Sequence, residues 1–407
     1  MMALKVALLF LFSTKLHENK YSSFRIRSKY GMLAKMKKFR EYHLLKILNE
    51  SAMHSIPMDA FLRRYFKENK AVGSKDRQEI CTTLYEMIRW RGLIDAKCSK
   101  PITWEKRLES YRKFPFSNLM EFPLHVQVSF PKFLFERLKE EYNEQKALDF
   151  CFNSNQQAPT TIRVNSLKTT RQALLKKWKG VFDVFPCKKS EWAINFNKRV
   201  NFFALPEFKA GLFEIQDEGS QLIAKHVKAA SGDHVLDYCA GSGGKTLAFA
   251  PLMKHQGQIY LYDIRPHTLL EAKKRLKRAG IQNAQLLDKK KLKKPALLNR
   301  MDWILLDVPC SGSGTLRRNP DMKWKLTPDT FTRLVEEQRK IFAEVVKFLH
   351  PNGKIVYATC SVFPEENEKQ ISYFIKTYDL KLVGTPFQSF PKQGEMDGFF
   401  CATLAKM

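Results

Sequence analysis

The sequence holds no Cys-x-x-Cys pair. Its eight cysteines stand at 81, 98, 151, 187, 239, 310, 360 and 401, and its nine histidines do not gather near them. That spacing argues against a zinc site, and a chain of 407 residues is not the short secreted kind that disulfides staple together. No metal is expected; reduced thiols in a cytoplasmic protein are. Long apolar runs are missing as well. Residues 6–12 form a short one behind Lys5, far too short to span a bilayer, and no small-x-small cleavage site follows. Residues 1–31 are therefore read as a poorly defined leader, with Met32 or Met36 as the candidate start. No internal repeat is visible. Acid is scarce: 41 Asp and Glu face 70 Lys and Arg, a net charge of +29. So large an excess favours a polyanionic partner, nucleic acid first, over a membrane surface, because no long amphipathic basic helix stands out.

The chain is 44% hydrophobic, ample for the cores of two or three domains. Between 38 and 91, Tyr42, Leu45 and Leu48, then Met58, Phe61, Leu62 and Tyr65, then Ile80, Leu84, Met87 and Ile88 recur at three- and four-residue spacing. This predicts a small helical bundle, which suits an RNA-binding module and a structural cap equally well. Residues 99–128, rich in proline and aromatics, read as a connector, so that 32–128 is taken as one helical region. A helix over 131–150, a strand over 161–165 and a helix over 169–179 belong to a lead-in, 129–215. The catalytic domain is placed at 216–407. From 233 onward, strands near 235, 258–262, 284–287, 303–306 and 354–358 alternate with helices ending near 254 and spanning 266–279, 331–349 and 365–377. That alternation predicts an α/β fold, a doubly wound, mostly parallel Rossmann-like sheet with helices on both faces. Residues 398–404 are expected as an edge strand, and the lysine run 289–294 as a solvated loop.

The first of these strands runs into Asp237-Tyr-Cys-Ala-Gly-Ser-Gly-Gly-Lys-Thr246. Gly241, Gly243 and Gly244 permit a tight turn and close backbone approach to a nucleotide-like ligand. A phosphate-binding NTPase loop would need glycine at 239, which is Cys239. The flanking acid Asp237 would repel phosphate, which also disfavours a dinucleotide. Asp263 ends the next strand, where ribose hydroxyls are commonly held. Two acids around a glycine loop suit a ligand with a ribose, a cationic tail and no phosphate, and S-adenosylmethionine meets that description. Asp288, ending the third strand, is a candidate adenine contact or a surface ion-pair partner.

The fourth strand ends in Asp307-Val-Pro-Cys310 and the fifth in Thr359-Cys360-Ser361. Two thiols and an acid at neighbouring strand ends, next to a methyl-donor loop, suit methylation of carbon 5 of a pyrimidine. That carbon is not nucleophilic until a thiolate adds to carbon 6, and Asp307 would bind the base edge and offset the developing charge. On chemistry alone either thiol fits the attacking role.

These stretches resemble the Sun/Fmu (RsmB-like) family of RNA cytosine-C5 methyltransferases. The similarity covers Arg163-Val-Asn165, Gln216-Asp217, the 237–246 loop, Asp263, Asp307 to Cys310, Arg317-Arg-x-Pro-Asp-x-Lys-Trp324, Thr359 to Ser361 and Asp397-Gly-Phe-Phe400. The segment from Gly73 to Arg89 is similar, more loosely, to a NusB-like helical RNA-binding domain. The resemblance implies Cys360 as nucleophile, Cys310 as the thiol of product release, Asp307 as base contact and Lys245 as a catalytic-site cation. It implies a cofactor site of Cys239, Ala240, Gly241, Ser242, Gly243, Gly244, Lys245, Asp263, Asp288 and Asp307. RNA contacts are expected from Arg163, Arg317, Arg318, Lys323 and Trp324, the last either stacking on a base or packing internally. Ser242 departs from the proline usual in the family. The implied substrate is small-subunit rRNA before assembly, bound by a monomer. Transfer RNA or large-subunit rRNA as substrate, or a non-catalytic assembly role, are the alternatives.

Overall fold

The computed structural model describes residues 37–54, 56–114, 116 and 118–407. The expected leader, 1–31, lies outside the described residues. The chain divides into two compact units, the first ending at Ser129 and the second running from Phe130 to Met407.

The first unit is helical, with its principal helices at Lys38–Ala52, Met58–Glu68, Ser74–Arg89 and Trp104–Tyr111. The spacing read from the sequence produces the core contributed by the second and third helices, Phe61, Leu62 and Tyr65 with Ile80, Leu84 and Met87. The first helix instead buries Leu44, Ile47 and Leu48, while Tyr42 is 60% exposed and Leu45 only partly buried. His43 and Tyr65 meet there through a 2.7 Å side-chain hydrogen bond. Arg77 does not face outward. Its guanidinium donates to the carbonyls of Val72 (2.8 Å) and Phe66 (3.3 Å), bracing the turn before the third helix.

The second unit opens with two helices rather than one. Lys132–Tyr142 and Glu144–Ser154 are separated by Asn143, which stands at φ 73° and accepts from the backbone N–H of Lys146 to cap the second helix. The lead-in then forms a sheet of its own. Strands β1 (Thr160–Val164), β2 (Val184–Pro186), β3 (Ala193–Phe196) and β4 (Phe213–Ile215) pair antiparallel in the order β2-β3-β1-β4. Their apolar side packs on Leu174 and Trp178 of the helix Arg171–Trp178.

The main sheet comprises β5 (His234–Asp237), β6 (Gln258–Leu261), β7 (Ala284–Leu286), β8 (Met301–Asp307), β9 (Leu349–Thr359), β10 (Leu380–Leu382), β11 (Phe387–Ser389) and β12 (Phe399–Lys406). Its order is β7-β6-β5-β8-β9-β12-β10, with β11 also on β12. The strands β5 to β9 are mutually parallel, and β12 runs antiparallel to β9. Alternating residues build two cores. Val235, Leu305 and Val356 join Leu269, Ala272 and Leu276 of the helix Pro266–Ala279. Leu236, Ile304 and Tyr357 join Phe342 and Phe374 of the helices Pro328–Val345 and Glu368–Tyr378 on the other face. Helices therefore cover both sides of a largely parallel sheet. The C-terminal strand corrects one expectation: β12 is not an edge but lies between β9 and β10, and six of its residues are buried.

The chain proceeds from β5 outward to β6 and β7, then returns to β8 on the opposite side of β5. The switch point of the winding is thus the crevice between the carboxyl ends of β5 and β8, where ligands of such sheets bind.

Candidate active site

Three acids end the strands around that crevice. Asp237 closes β5, Asp307 closes β8, and Asp263 follows β6. The charges of all three press on Cys239, whose thiol is held well above its ordinary range by burial first and by these carboxylates second. The loop after β5 turns through Gly241 and Gly243, at φ 52° and 75°, conformations that disfavour any residue with a Cβ. Gly243 also lets the loop lie against the helix Pro266–Ala279, where an added Cβ would come within 3.3 Å of Ala272. Gly241 is different: a Cβ there would meet no atom closer than 4.0 Å, so its open side faces space beside Asp263.

Asp263 is tied to the loop by the backbone N–H of Gly241 at 2.8 Å and is flanked by Arg265, whose Nε lies 3.0 Å from Oδ1. Burial works to raise its pKa, but the hydrogen bonds from Arg265 and Gly241 win and hold it below the usual carboxylate range. Asp237 has the opposite balance. It is 1% exposed, accepts from Thr246 Oγ1 at 2.5 Å, and leaves Oδ1 without a hydrogen-bond partner. Burial pushes its pKa up to about 7.

Ser242 meets a cation. Arg275 Nη1 donates to the Ser242 carbonyl (2.8 Å) and hydroxyl (2.6 Å), while its Nη2 lies 3.0 Å from Glu214 at the centre of β4. The antiparallel sheet thereby grips the glycine loop. Arg163 does the same from β1, donating to the Gly244 carbonyl at 2.8 Å and to Gln216.

At the far side of the crevice Lys245 forms an ion pair with Asp307. Desolvation works against the ammonium, but the Asp307 carboxylate and the charge of Cys360 outweigh it and raise its pKa. The two thiols named from sequence meet here: Cys310 Sγ and Cys360 Sγ stand 3.2 Å apart, and the Cys360 backbone N–H points at Cys310 Sγ at 3.3 Å. The bond with Cys360 first, and burial second, hold Cys310 far above the ordinary thiol range. All eight cysteines are free.

The structure corrects several RNA contacts. Arg317 has no exposed side-chain surface and is paired with the equally buried Asp397, with further bonds to the carbonyls of Lys392 and Glu395. Lys323 is 1% exposed, donates to Asn155 Oδ1 at 2.7 Å and lies over the Phe130 ring. Arg163 is 2% exposed and serves the loop. These three support the fold rather than present charge to phosphate. Arg318 keeps a third of its side chain exposed while bridging Asp217 and Asp397, and Trp324 is half-buried beside Lys323. Asp288 is exposed. It caps a short helix, Lys289–Leu292, by accepting from the Lys291 N–H at 2.7 Å, so the lysine run begins as a helix rather than a loop. Glu366 and Asn367, beneath the thiols, do not stand out in the sequence. Two polar residues opening a helix carry no signal of burial.

Among the described residues no helix is long and apolar enough to cross a membrane.

Comparison with known proteins gives the family of the chain. Residues 224–405 match the family described as 16S rRNA methyltransferase RsmB/F, and residues 130–202 match the ferredoxin-like domain of RsmF/B-like methyltransferases. The ribosomal RNA small subunit methyltransferase B of Photorhabdus laumondii is 34% identical over 288 residues, covering 68% of this chain and 66% of that protein. The chain thus spans slightly under two thirds of that relative's length. The protein of the same name from Klebsiella pneumoniae strain 342 is 33% identical over 314 residues, covering 74% of this chain and 71% of that protein. A solved methyltransferase homolog protein from Pyrococcus horikoshii superposes with a TM-score of 0.63 at 27% identity, covering 72% of this chain and all of that one. By these matches the chain belongs to the RsmB/F family of 16S rRNA methyltransferases.

Proposed function

We propose that the protein transfers a methyl group from S-adenosylmethionine to carbon 5 of a cytosine in small-subunit rRNA. The observation that carries this reading is the 3.2 Å approach of Cys310 and Cys360 at the ends of adjacent strands, beside the Lys245–Asp307 pair.

The cofactor fits the residues present. Gly241 leaves space beside Asp263 for a ribose, and the acids around the loop favour a ligand bearing positive charge. When bound there, the sulfonium supplies a methyl group that departs with its electron pair left on sulfur. Gly241 to Gly244 and Asp263 hold the nucleoside end. Asp288, exposed past β7, serves as the outer adenine contact in this reading.

The protein's own part is to make carbon 5 reactive. Cys360 attacks as thiolate, its sulfur bonding to carbon 6 while the ring π electrons shift toward the base edge. Asp307 accepts from the exocyclic amine, and the ammonium of Lys245 offsets the charge that grows on the ring. Carbon 5 then bonds the methyl group and loses its proton to a base. The sulfur–carbon 6 bond breaks, the double bond returns and the thiolate leaves. Cys310, 3.2 Å from Cys360, is placed to assist that release. The extruded base requires single-stranded or not yet assembled RNA. Arg318, Trp324 and the exposed lysines of 289–294 supply the RNA-facing side. A monomeric cytoplasmic enzyme whose helical first unit is a NusB-like RNA-binding domain completes the reading.

Bisulfite sequencing of total RNA with and without the gene tests it. A single 16S cytosine that loses protection on deletion is expected; unchanged protection at every cytosine would refute it.

A further inference from the structure

The two thiols are held from below by one dipeptide. Glu366 and Asn367 are adjacent, both wholly buried, at the turn before the helix Glu368–Tyr378. Glu366 accepts from the Ser311 N–H at 2.8 Å and from the Ser311 hydroxyl at 2.5 Å. Gln338 extends the grip, donating to Glu366 and, at 3.1 Å, to the Pro309 carbonyl. Both neighbours of Cys310 are thereby fixed. Asn367 does the same for Cys360: its Nδ2 donates to the Ser361 carbonyl at 3.0 Å, and its Oδ1 accepts from Thr359 Oγ1 at 2.6 Å. Each residue bonds directly to the neighbours of one thiol, and the Ser311 hydroxyl, 3.2 Å from that of Ser361, joins the two grips. None of these bonds reaches a reacting atom.

We propose that Glu366 and Asn367 are positioning residues that each bear chiefly on one thiol, Asn367 on Cys360 for attack and Glu366 on Cys310 for release. The inference rests on the roles assigned to the thiols above. Its physical basis is that buried hydrogen bonds to a carboxylate or amide fix a turn far better than packing alone. A displacement of one reacting atom by about 1 Å costs on the order of 10²-fold in rate. Because each residue's direct bonds go to the neighbours of one thiol, the larger loss from each falls on a different chemical step.

The test uses the full-length protein, S-adenosylmethionine and an unmodified 16S rRNA transcript, with the covalent protein–RNA adduct read on denaturing gels over time. Glu366→Gln places a donor where the Ser311 hydroxyl donates, and Asn367→Asp places a carboxylate against the Ser361 carbonyl. Glu366→Gln is expected to raise the adduct level about tenfold over the unaltered protein, while Asn367→Asp slows adduct formation by at least about tenfold. Asn367→Asp added to Cys310→Ser should remove most of the adduct that Cys310→Ser traps alone. Gln338→Leu cuts the Cys310 side without touching the bridging Ser311 hydroxyl, and Thr359→Val cuts the Asn367 grip, so they carry the comparison if either first variant fails to fold. Equal loss of adduct formation on both sides, or an unaltered adduct level in both, overturns the proposal. If Cys310→Ser itself traps nothing in an otherwise methylating protein, the assignment of thiol roles fails instead.

Discussion

Lys245 leaves the glycine loop and closes an ion pair on Asp307, so the cation of the cofactor loop faces the acid that ends β8. The lysine is nearly buried and the aspartate one third exposed, toward the crevice. The pair links the two halves of the site: the strand that precedes the glycine loop and the strand that precedes Cys310.

In the proposed mechanism Lys245 offsets the electron density that grows on the ring. Lys245→Met is expected to lower single-turnover methylation at saturating cofactor by about 10²-fold, and a loss below about threefold would contradict the role.

Asp237 makes stability depend on pH. Its folded pKa is about 7, against an ordinary 3.8, because it is buried with one oxygen unpartnered. Between those values the unfolded chain has lost this proton and the folded chain still holds it, so stability falls as pH rises from about 4 to about 7. Asp237→Asn removes that contribution. The denaturant-derived stability difference between variant and parent should shift by roughly 4 kcal/mol in the variant's favour across this window. A difference independent of pH would count against the buried, protonated carboxyl.

Arg317 is a structural cation. Arg317→Met leaves the buried Asp397 with Arg318 as its remaining arginine partner and strips the Lys392 and Glu395 carbonyls of their donor, so it should lower unfolding stability by about 2–3 kcal/mol. Arg318→Met, one third exposed, should cost less stability and more RNA affinity. An Arg317→Met protein of unchanged stability that had lost RNA affinity would reverse this division.

Ser242 takes its stiffness from Arg275. Ser242→Ala removes the 2.6 Å bond from the guanidinium while leaving the one to the carbonyl. Hydrogen bonds to charged groups contribute about 1.5–3 kcal/mol, so calorimetric titration with S-adenosylmethionine should show an affinity about tenfold weaker. Unchanged affinity would mean that the loop holds its shape without Arg275.

Much of this architecture is legible in the sequence. The parallel strands β5, β6, β8 and β9 are short apolar runs between strong helix periods, and the acids and thiols at their ends mark one rim of the sheet. What escapes is long-range. β2, β3 and β4 are three or four residues each, and nothing local distinguishes them from loop. β12 reads as an edge because its partners, β9 and β10, are set by topology and not by its own pattern. Arg317, Lys323 and Arg163 look like phosphate contacts because a basic residue is exposed by default. Their partners, Asp397, Asn155 and the Gly244 carbonyl, lie between 80 and 168 residues away. Arg275 binds Ser242 from 33 residues downstream, a pairing only the folded helix reveals.

The thiols carry the central claim, and trapping distinguishes them. Incubated with S-adenosylmethionine and unmodified 16S rRNA, Cys310→Ser should accumulate a covalent RNA adduct that survives denaturing electrophoresis. Cys360→Ser should form none and methylate nothing. An adduct in Cys360→Ser and none in Cys310→Ser would contradict the account, making Cys310 the attacking sulfur.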